Sequence, residues 1–218
     1  MTVRRIKTRA GLALLLLGLA LVLAAAGLAG AYLHEAKTAA HEAAETLASL
    51  RRQTPETRPA RRRPVPAQIS PDAPQTPLYL LDPALSEPTA ELDGRQYIGT
   101  VEIPALGEAA PVLGEYSISG LKSAACRWSG SLSAGDLVLC AHNYLKPFDA
   151  LKTLLPGDAV RFTDADGNGF AFRVAAVETL EAWETEAMER SGYPLTLYTC
   201  TVGGQYRVTV RCIAEGEV

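Results

Sequence analysis

The chain has 218 residues, of which 48% are hydrophobic, 21 are lysine or arginine and 24 are aspartate or glutamate. This composition excludes a wholly disordered protein, and the length suits one domain or two small ones. Residues 69–218 hold 10 of the basic and 20 of the acidic residues. Because binding to nucleic acid needs a basic surface that neutralises phosphates, we expect no nucleic-acid partner.

The N-terminal segment is apolar enough to cross a membrane. Residues 11–33 carry no charge, and a helix of that length spans a hydrocarbon core of about 30 Å. Residues 1–10 contain four basic residues and no acidic one, which predicts a cytoplasmic N-terminus, a single-pass anchor over 11–33 and an extracellular remainder. The alternative is a signal peptide cleaved near Ala29-Gly30-Ala31, although its apolar region usually spans only about 7–15 residues.

Residues 34–91 predict a helical stem followed by a linker. Residues 35–52 are rich in Ala, Glu and Leu, which favours helix. Nine of the fourteen prolines lie between Pro55 and Pro88, together with Arg61-Arg62-Arg63. Frequent proline removes backbone donors, so we interpret this part as an extended Pro/Arg-rich spacer.

From residue 92 onward the chain alternates short apolar segments with turn residues. Strands of this length and spacing are typical of a closed β-barrel or a sandwich, and helix is predicted only over 148–155 and 181–190. Residues 92–218 therefore form one mostly β domain. Its six predicted strands cover residues 96–103, 136–141, 159–163, 170–177, 194–200 and 206–213.

The turn at residues 164–169 resembles the first half of a calcium-binding loop. Asp164, Asp166 and Asn168 have the required spacing, but the twelfth position, which needs a bidentate Glu, is Ala175. We expect no metal here, and no cofactor elsewhere.

The candidate chemistry lies in one histidine and one cysteine. His142 is the only histidine after residue 41, and a single histidine is by itself more often structural than catalytic. Of the four cysteines, Cys200 ends a predicted strand. Each strand residue adds about 3.4 Å, so Cys200 should face the start of the returning strand, not Cys212. A bridge between Cys126 and Cys140 remains open.

A thiol becomes a strong nucleophile when a cation or a base lowers its pKa. Arg207 opens the returning strand and is expected to lie close to Cys200 across the turn. Arg211 projects to the same face but lies about 14 Å further along the strand. We therefore expect Arg207 to support Cys200, and Arg211→Ala to reduce activity far less than Arg207→Ala.

Four short segments resemble those of the sortases, the membrane-anchored cysteine transpeptidases of Gram-positive bacteria. They occur along this chain in the same order as in that family. Leu195–Cys200 is similar to the strand that carries the family's cysteine, and Arg207–Val210 to its final strand. Ala141–Tyr144 is similar to the segment around its histidine, and Tyr97–Pro104 to its opening strand. The resemblance covers residues 94–218 and implies a closed eight-stranded sortase-type β-barrel with short connecting helices.

The resemblance also implies a reaction and its residues. Cys200 would attack a sorting signal similar to Leu-Pro-x-Thr-Gly on a surface protein, and His142 would act as general acid and base. Arg207 would bind substrate and stabilise the oxyanion, while Thr199 and Asn143 would contribute weakly to substrate binding. An amine of a cell-wall precursor or a pilin would release the product.

Two departures from the family pattern disfavour the pilus-building class that has an Asp-Pro-aromatic lid and a second anchor. Asp82-Pro83-Ala84 lacks the aromatic residue of the lid, and the chain stops at Val218, where that second anchor is usual. A papain-like hydrolase is disfavoured because His142 precedes Cys200. Two further hypotheses stay open: a non-catalytic, membrane-anchored β-module that binds wall components, and a degenerate sortase-like housekeeping factor.

Overall fold

The computed structural model describes residues 2–54, 76–82, 84–189 and 191–215, without the side chains of residues 2–10. The chain divides into two compact units, residues 1–39 and 40–218. The first unit is part of helix α1 (Thr2–Gln53). From Gly11 onward α1 is long and apolar enough to cross a membrane, the only described helix that is.

The second unit contains, among its described residues, nine strands and two short α-helices after α1. Helix α2 (Leu78–Leu81) precedes the strands, and helix α3 (Thr185–Glu189) lies between the seventh and the eighth. The strands are β1 (Ala90–Leu92), β2 (Arg95–Ile103), β3 (Glu108–Leu113), β4 (Ala125–Ser129), β5 (Leu137–Ala141), β6 (Ala159–Asp164), β7 (Gly169–Glu181), β8 (Leu195–Cys200) and β9 (Tyr206–Ala214).

Eight of these strands close into a barrel. The sheet order is β1-β2-β3-β4-β5-β8-β9-β7-β6, and β2 also pairs with β6, which joins the two sides of the sheet. Strand β1 adds to β2 outside the ring. The closed eight-stranded barrel predicted from the sequence is thus confirmed.

Side-chain alternation separates two apolar clusters. The larger cluster fills the barrel interior, with Val101, Leu139, Leu197 and Val210 among its fully buried members. The smaller cluster lies on the outer face of β4, β5 and β8 and contains Cys126, Val138, Cys140 and Tyr198. Successive residues of a strand point to opposite faces, so one strand serves both clusters.

Residues 40–53 of α1 belong to the same compact unit as the barrel. Leu50 is 3% exposed and shares the outer cluster with Tyr97 of β2. The predicted spacer lies mostly outside the described residues. In the described part of its C-terminal end, Tyr79 of α2 donates a hydrogen bond of 2.7 Å to Asp164 Oδ2.

In the turn between β6 and β7, the Asp164 carboxylate accepts hydrogen bonds from the protein itself. Asp164 accepts hydrogen bonds from the backbone amides of Asp166 and Asn168, from the Asn168 side chain and from Tyr79. Burial and the neighbouring Asp164 carboxylate raise the pKa of the Tyr79 hydroxyl, which therefore stays a donor. The motif that resembles a calcium loop acts here as a hydrogen-bonded turn.

All six predicted strands are present, and three further strands were missed. β1 has three residues, β3 contains Pro111, and β4 has five residues shortly after a 3-10 helix (Gly120–Lys122), so none has a strong strand pattern. The helix predicted over 148–155 is a 3-10 helix, Phe148–Thr153. The helix predicted over 181–190 is reduced to α3 because β7 continues to Glu181.

Barrel closure depends on a glycine at the β2–β6 contact. Gly99 has a φ of 151° and pairs with Asp164, and a Cβ atom there would collide with the carbonyl oxygen of Thr163. We expect Gly99→Ala to lower the free energy of unfolding by about 3 kcal/mol or more, measured by denaturation of the full-length protein in detergent. Gly107→Ala is the control, since Gly107 also has a positive φ but open space around it; it should cost about 1 kcal/mol. Equal losses would contradict this role of Gly99.

Candidate active site

The strand register brings three predicted site residues to one end of the barrel. Ala141 of β5 is the partner of Thr199 in the parallel neighbour β8, so His142 and Cys200 each follow a paired residue. Cys200 is itself the partner of Arg207 in β9. Adjacent strands lie about 4.8 Å apart, so Cys200 lies between Arg207 of β9 and His142, which directly follows β5. The predicted proximity of Arg207 and Cys200 is confirmed.

The turn before β9 sets the position of Arg207. Gly203 and Gly204 have φ angles of 89° and 73°, a conformation that glycine adopts without steric cost. The turn is closed by hydrogen bonds from Thr201 N to Tyr206 O (2.9 Å) and from Gly204 N to Thr201 O (2.8 Å). Returning the chain in this way puts Arg207 opposite Cys200.

The Arg207 guanidinium is held at one nitrogen only. Its Nη1 donates to the carbonyl oxygens of Gly204 (3.0 Å) and Tyr206 (3.4 Å). Within the described ranges its other two nitrogens make no hydrogen bond and no carboxylate forms an ion pair with it. A partly exposed guanidinium in this state retains donors that can bind an oxyanion or a carbonyl.

His142 and Asn143 follow directly after β5. Both are partly exposed, and the imidazole of His142 stacks on the ring of Tyr144 with centroids 4.0 Å apart. The backbone amide of His142 donates to Leu121 O at 3.3 Å. These contacts fix the start of the loop; a contact of Asn143 with substrate stays a prediction.

Thr199 is buried, being 5% exposed. Its hydroxyl donates to the carbonyl oxygen of Ala141 at 2.9 Å. This bond ties β8 to β5 one residue before Cys200 and His142. Thr199 therefore positions the two candidate catalytic residues, while its predicted contact with substrate remains untested.

Aromatic residues that the sequence analysis did not select border the outer face beside Cys200. Trp128 makes edge-on contacts with Tyr116 (centroids 4.9 Å apart) and with Tyr198 (6.0 Å). Its indole nitrogen donates to Glu189 of α3 at 2.8 Å. Burial raises the pKa of the Tyr198 and Tyr116 hydroxyls, so both stay protonated at neutral pH.

The two arginines of β9 have different environments. Arg211 is 4% exposed, and its Nε pairs with Glu178 at 2.7 Å. Its terminal nitrogens donate to the carbonyl oxygens of Ala187 and Met188 and to Thr196 Oγ1. Arg211 thus holds α3 and the β7–β8 connection against the barrel, a role that its position in the sequence did not reveal.

Removing the Arg211 side chain should destabilise the protein. Arg211→Ala removes the donor from the Met188 carbonyl oxygen and the Thr196 hydroxyl, both in buried residues, which we expect to lower the free energy of unfolding by about 2–4 kcal/mol. Chemical denaturation measures this loss. The matched control is Arg173→Ala, which removes an exposed pair with Glu215 and should cost about 1 kcal/mol or less. Similar losses in both variants would contradict the anchoring role.

The four cysteines, all free thiols in the structure, differ in accessibility. Cys200 is partly exposed, whereas Cys126, Cys140 and Cys212 are buried. Burial raises the pKa of Cys140 and of Cys212 to about 12 and also raises that of Cys126. Cys212 is the partner of Leu195, which confirms that it does not face Cys200.

Alkylation should therefore select Cys200 in the reduced protein. At pH 8 the buried thiols stay protonated, and only thiolates react, so iodoacetamide should add one group, located by peptide mass on Cys200. Cys200→Ala should take up almost none under the same conditions. Labelling of Cys126 or Cys140 faster than Cys200 would contradict the burial of these two thiols in the structure.

The chain matches one family model and several solved structures. Residues 101–217 match the model of the sortase domain. Sortase A from Corynebacterium diphtheriae is similar at a TM-score of 0.50 and 21% identity, over 57% of this chain and 63% of that one. Sortase C1 from Streptococcus agalactiae gives 0.49 and 22%, over 59% and 72%. Sortase C from Streptococcus pneumoniae gives 0.46 and 25%, over 56% and 70%.

The alignment covers less than two thirds of the Corynebacterium diphtheriae chain, and its similarity shows the fold alone. No curated protein sequence matches this chain.

Proposed function

Because the chain belongs to the sortase family, we propose that it is a membrane-anchored cysteine transpeptidase with Cys200 as nucleophile. The observation that carries the proposal is the register of β5, β8 and β9. It makes a histidine, a cysteine and an arginine neighbours at one end of the barrel. The substrate would be a surface protein that bears a sorting signal similar to Leu-Pro-x-Thr-Gly.

In the first step the Cys200 thiolate attacks the carbonyl carbon of the threonine in the signal. The carbonyl oxygen takes up negative charge, and the free donors of Arg207 stabilise it. His142 protonates the departing glycine amine, which breaks the peptide bond and leaves a thioacyl enzyme. The partial exposure of all three residues lets a peptide reach them.

In the second step an amine of a cell-wall precursor or a pilin attacks the thioester. His142 removes a proton from this amine, and the Cys200 thiolate departs as the new amide bond forms. The chain's own residues supply the nucleophile, the acid and base, and the oxyanion donor in this scheme. It therefore requires neither a metal nor a cofactor.

The proposed location follows from the charge and the hydropathy of residues 1–33. Residues 11–33 would form the anchor, with residues 1–10 in the cytoplasm and the barrel outside the cell. Residues 34–91 would be the stem and linker, and residues 92–218 the catalytic domain. The apolar surface of α1 and the family's place at the cell surface support this arrangement.

The test uses the full-length protein in detergent with a library of Leu-Pro-x-Thr-Gly-like peptides and hydroxylamine as the acceptor. We expect hydroxamate from the wild type and a peptide-sized adduct on Cys200, both lost in Cys200→Ala. His142→Ala and Arg207→Ala should each lower kcat/KM by about 100-fold or more. Arg161→Ala is the control, because Arg161 forms an exposed ion pair with Glu102 and should keep full activity.

Two results would count against this function. The first is the absence of hydroxamate and adduct with every peptide, together with a Cys200 no more reactive than an ordinary free thiol. This result would favour a non-catalytic barrel that binds wall components. A larger loss in Arg211→Ala than in Arg207→Ala, at temperatures where both are folded, would transfer the role of oxyanion donor away from Arg207.

A further inference from the structure

Two cysteines that the proposed chemistry does not use lie directly opposite each other. Cys126 of β4 and Cys140 of β5 are partners in an antiparallel pair. Opposed residues in such a pair have Cα atoms about 4.5–5.5 Å apart, which lies within the range of about 4.4–6.8 Å that a disulfide bridges. The register thus gives the two cysteines a Cα separation that a disulfide can bridge.

The two side chains also share one environment. Both belong to the apolar cluster on the outer face of the barrel, with exposed fractions of 0% for Cys126 and 2% for Cys140. As free thiols they have separate contacts: Cys140 hydrogen bonds with Tyr198, and the Cys126 sulfur lies beside Ser117. Rotation of each side chain about its Cα–Cβ bond would replace these contacts with a contact between the two sulfur atoms.

The remaining two cysteines are poorly placed to compete. Cys200 lies two residues beyond Tyr198, the partner of Cys140. The Cα atoms of Cys200 and Cys140 are therefore roughly 8 Å apart, beyond the limit of about 7 Å for a disulfide. Cys212 points into the barrel interior and belongs to the larger apolar cluster. Cys126 and Cys140 are the one pair that the fold brings within bonding geometry.

We propose that Cys126 and Cys140 form a disulfide in the mature protein outside the cytoplasm, with a small-molecule or protein disulfide as the oxidant. This inference relies on the proposed function only for the extracellular, oxidising location. The bond would link β4 to β5 within the apolar cluster on the outer face of the barrel. It would leave Cys200 as a free nucleophile.

The reaction is a double thiol–disulfide exchange. While the chain folds, before the two thiols are buried, the Cys126 thiolate attacks one sulfur of oxidised glutathione and displaces the other glutathione as a thiolate. The Cys140 thiolate then attacks the Cys126 sulfur of this mixed disulfide and displaces the second glutathione. The protein loses two protons and two electrons, and one oxidised glutathione becomes two reduced molecules.

The experiment uses full-length protein carrying Cys200→Ala, which removes the exposed thiol that would also react with glutathione. The protein is reduced and unfolded, allowed to refold in a mixture of oxidised and reduced glutathione, then denatured again and treated with N-ethylmaleimide. We expect one maleimide group, on Cys212, against three groups when the refolded sample is reduced again before this treatment. Trypsin cleaves after Arg127, so Ser123–Arg127 and Trp128–Lys152 should stay joined only through the disulfide and separate on reduction.

A second readout is thermal stability. The oxidised protein should unfold about 5–10 °C above the reduced one, because the bond restricts the unfolded chain. The difference should vanish when Cys126→Ala is added. Neither readout depends on turnover, so failure of the transpeptidase proposal would leave both intact.

Three maleimide groups after oxidation would overturn the proposal. So would stable glutathione adducts on Cys126 or Cys140 without a joined peptide pair, or a linkage that includes Cys212. In wild-type protein oxidised in parallel, a linkage that includes Cys200 would also overturn it.

Discussion

The register of β8 between its two neighbours is the constraint on which the candidate site depends. Its parallel pairing with β5 and its antiparallel pairing with β9 align His142, Cys200 and Arg207. Because side chains alternate between faces, a slip of one residue would turn Cys200 into the barrel interior. The hydrogen bond from Thr199 to Ala141 and the apolar residues inside the barrel hold this register.

Strand β9 carries two arginines with different roles. Arg207 lies at its open end and retains free donors, whereas Arg211, on the same face, is buried and fully engaged with Glu178, Thr196 and the carbonyls of α3. A buried cation is costly unless its donors are satisfied. The β7–β8 connection is therefore attached through specific hydrogen bonds, which require one particular placement of α3.

The sequence predicted the parts of the fold that depend on local pattern. The six predicted strands and the neighbouring positions of Cys200 and Arg207 follow from alternation, turn residues and strand rise. These patterns left a barrel and a sandwich open, and the resemblance to the sortases implied the closed barrel. The rest depends on long-range contacts. Nothing near Arg211 in the sequence indicates that α3 will supply its acceptors, and the opposition of Cys126 and Cys140 depends on which strands become neighbours.

The contacts on both sides of the Pro/Arg-rich segment give it an unexpected property. Thr54 lines the same cleft as Asp164 and Ala165, and Tyr79 hydrogen bonds to Asp164. Thr54 and Tyr79, which flank residues 55–75, thus both lie near the β6–β7 turn. The entropy of closing such a loop rises only with the logarithm of its length, by about 0.6 kcal/mol per doubling. Insertions and deletions within residues 55–75 should therefore be nearly neutral for the barrel, leaving the length and charge of this segment free to vary independently of the fold.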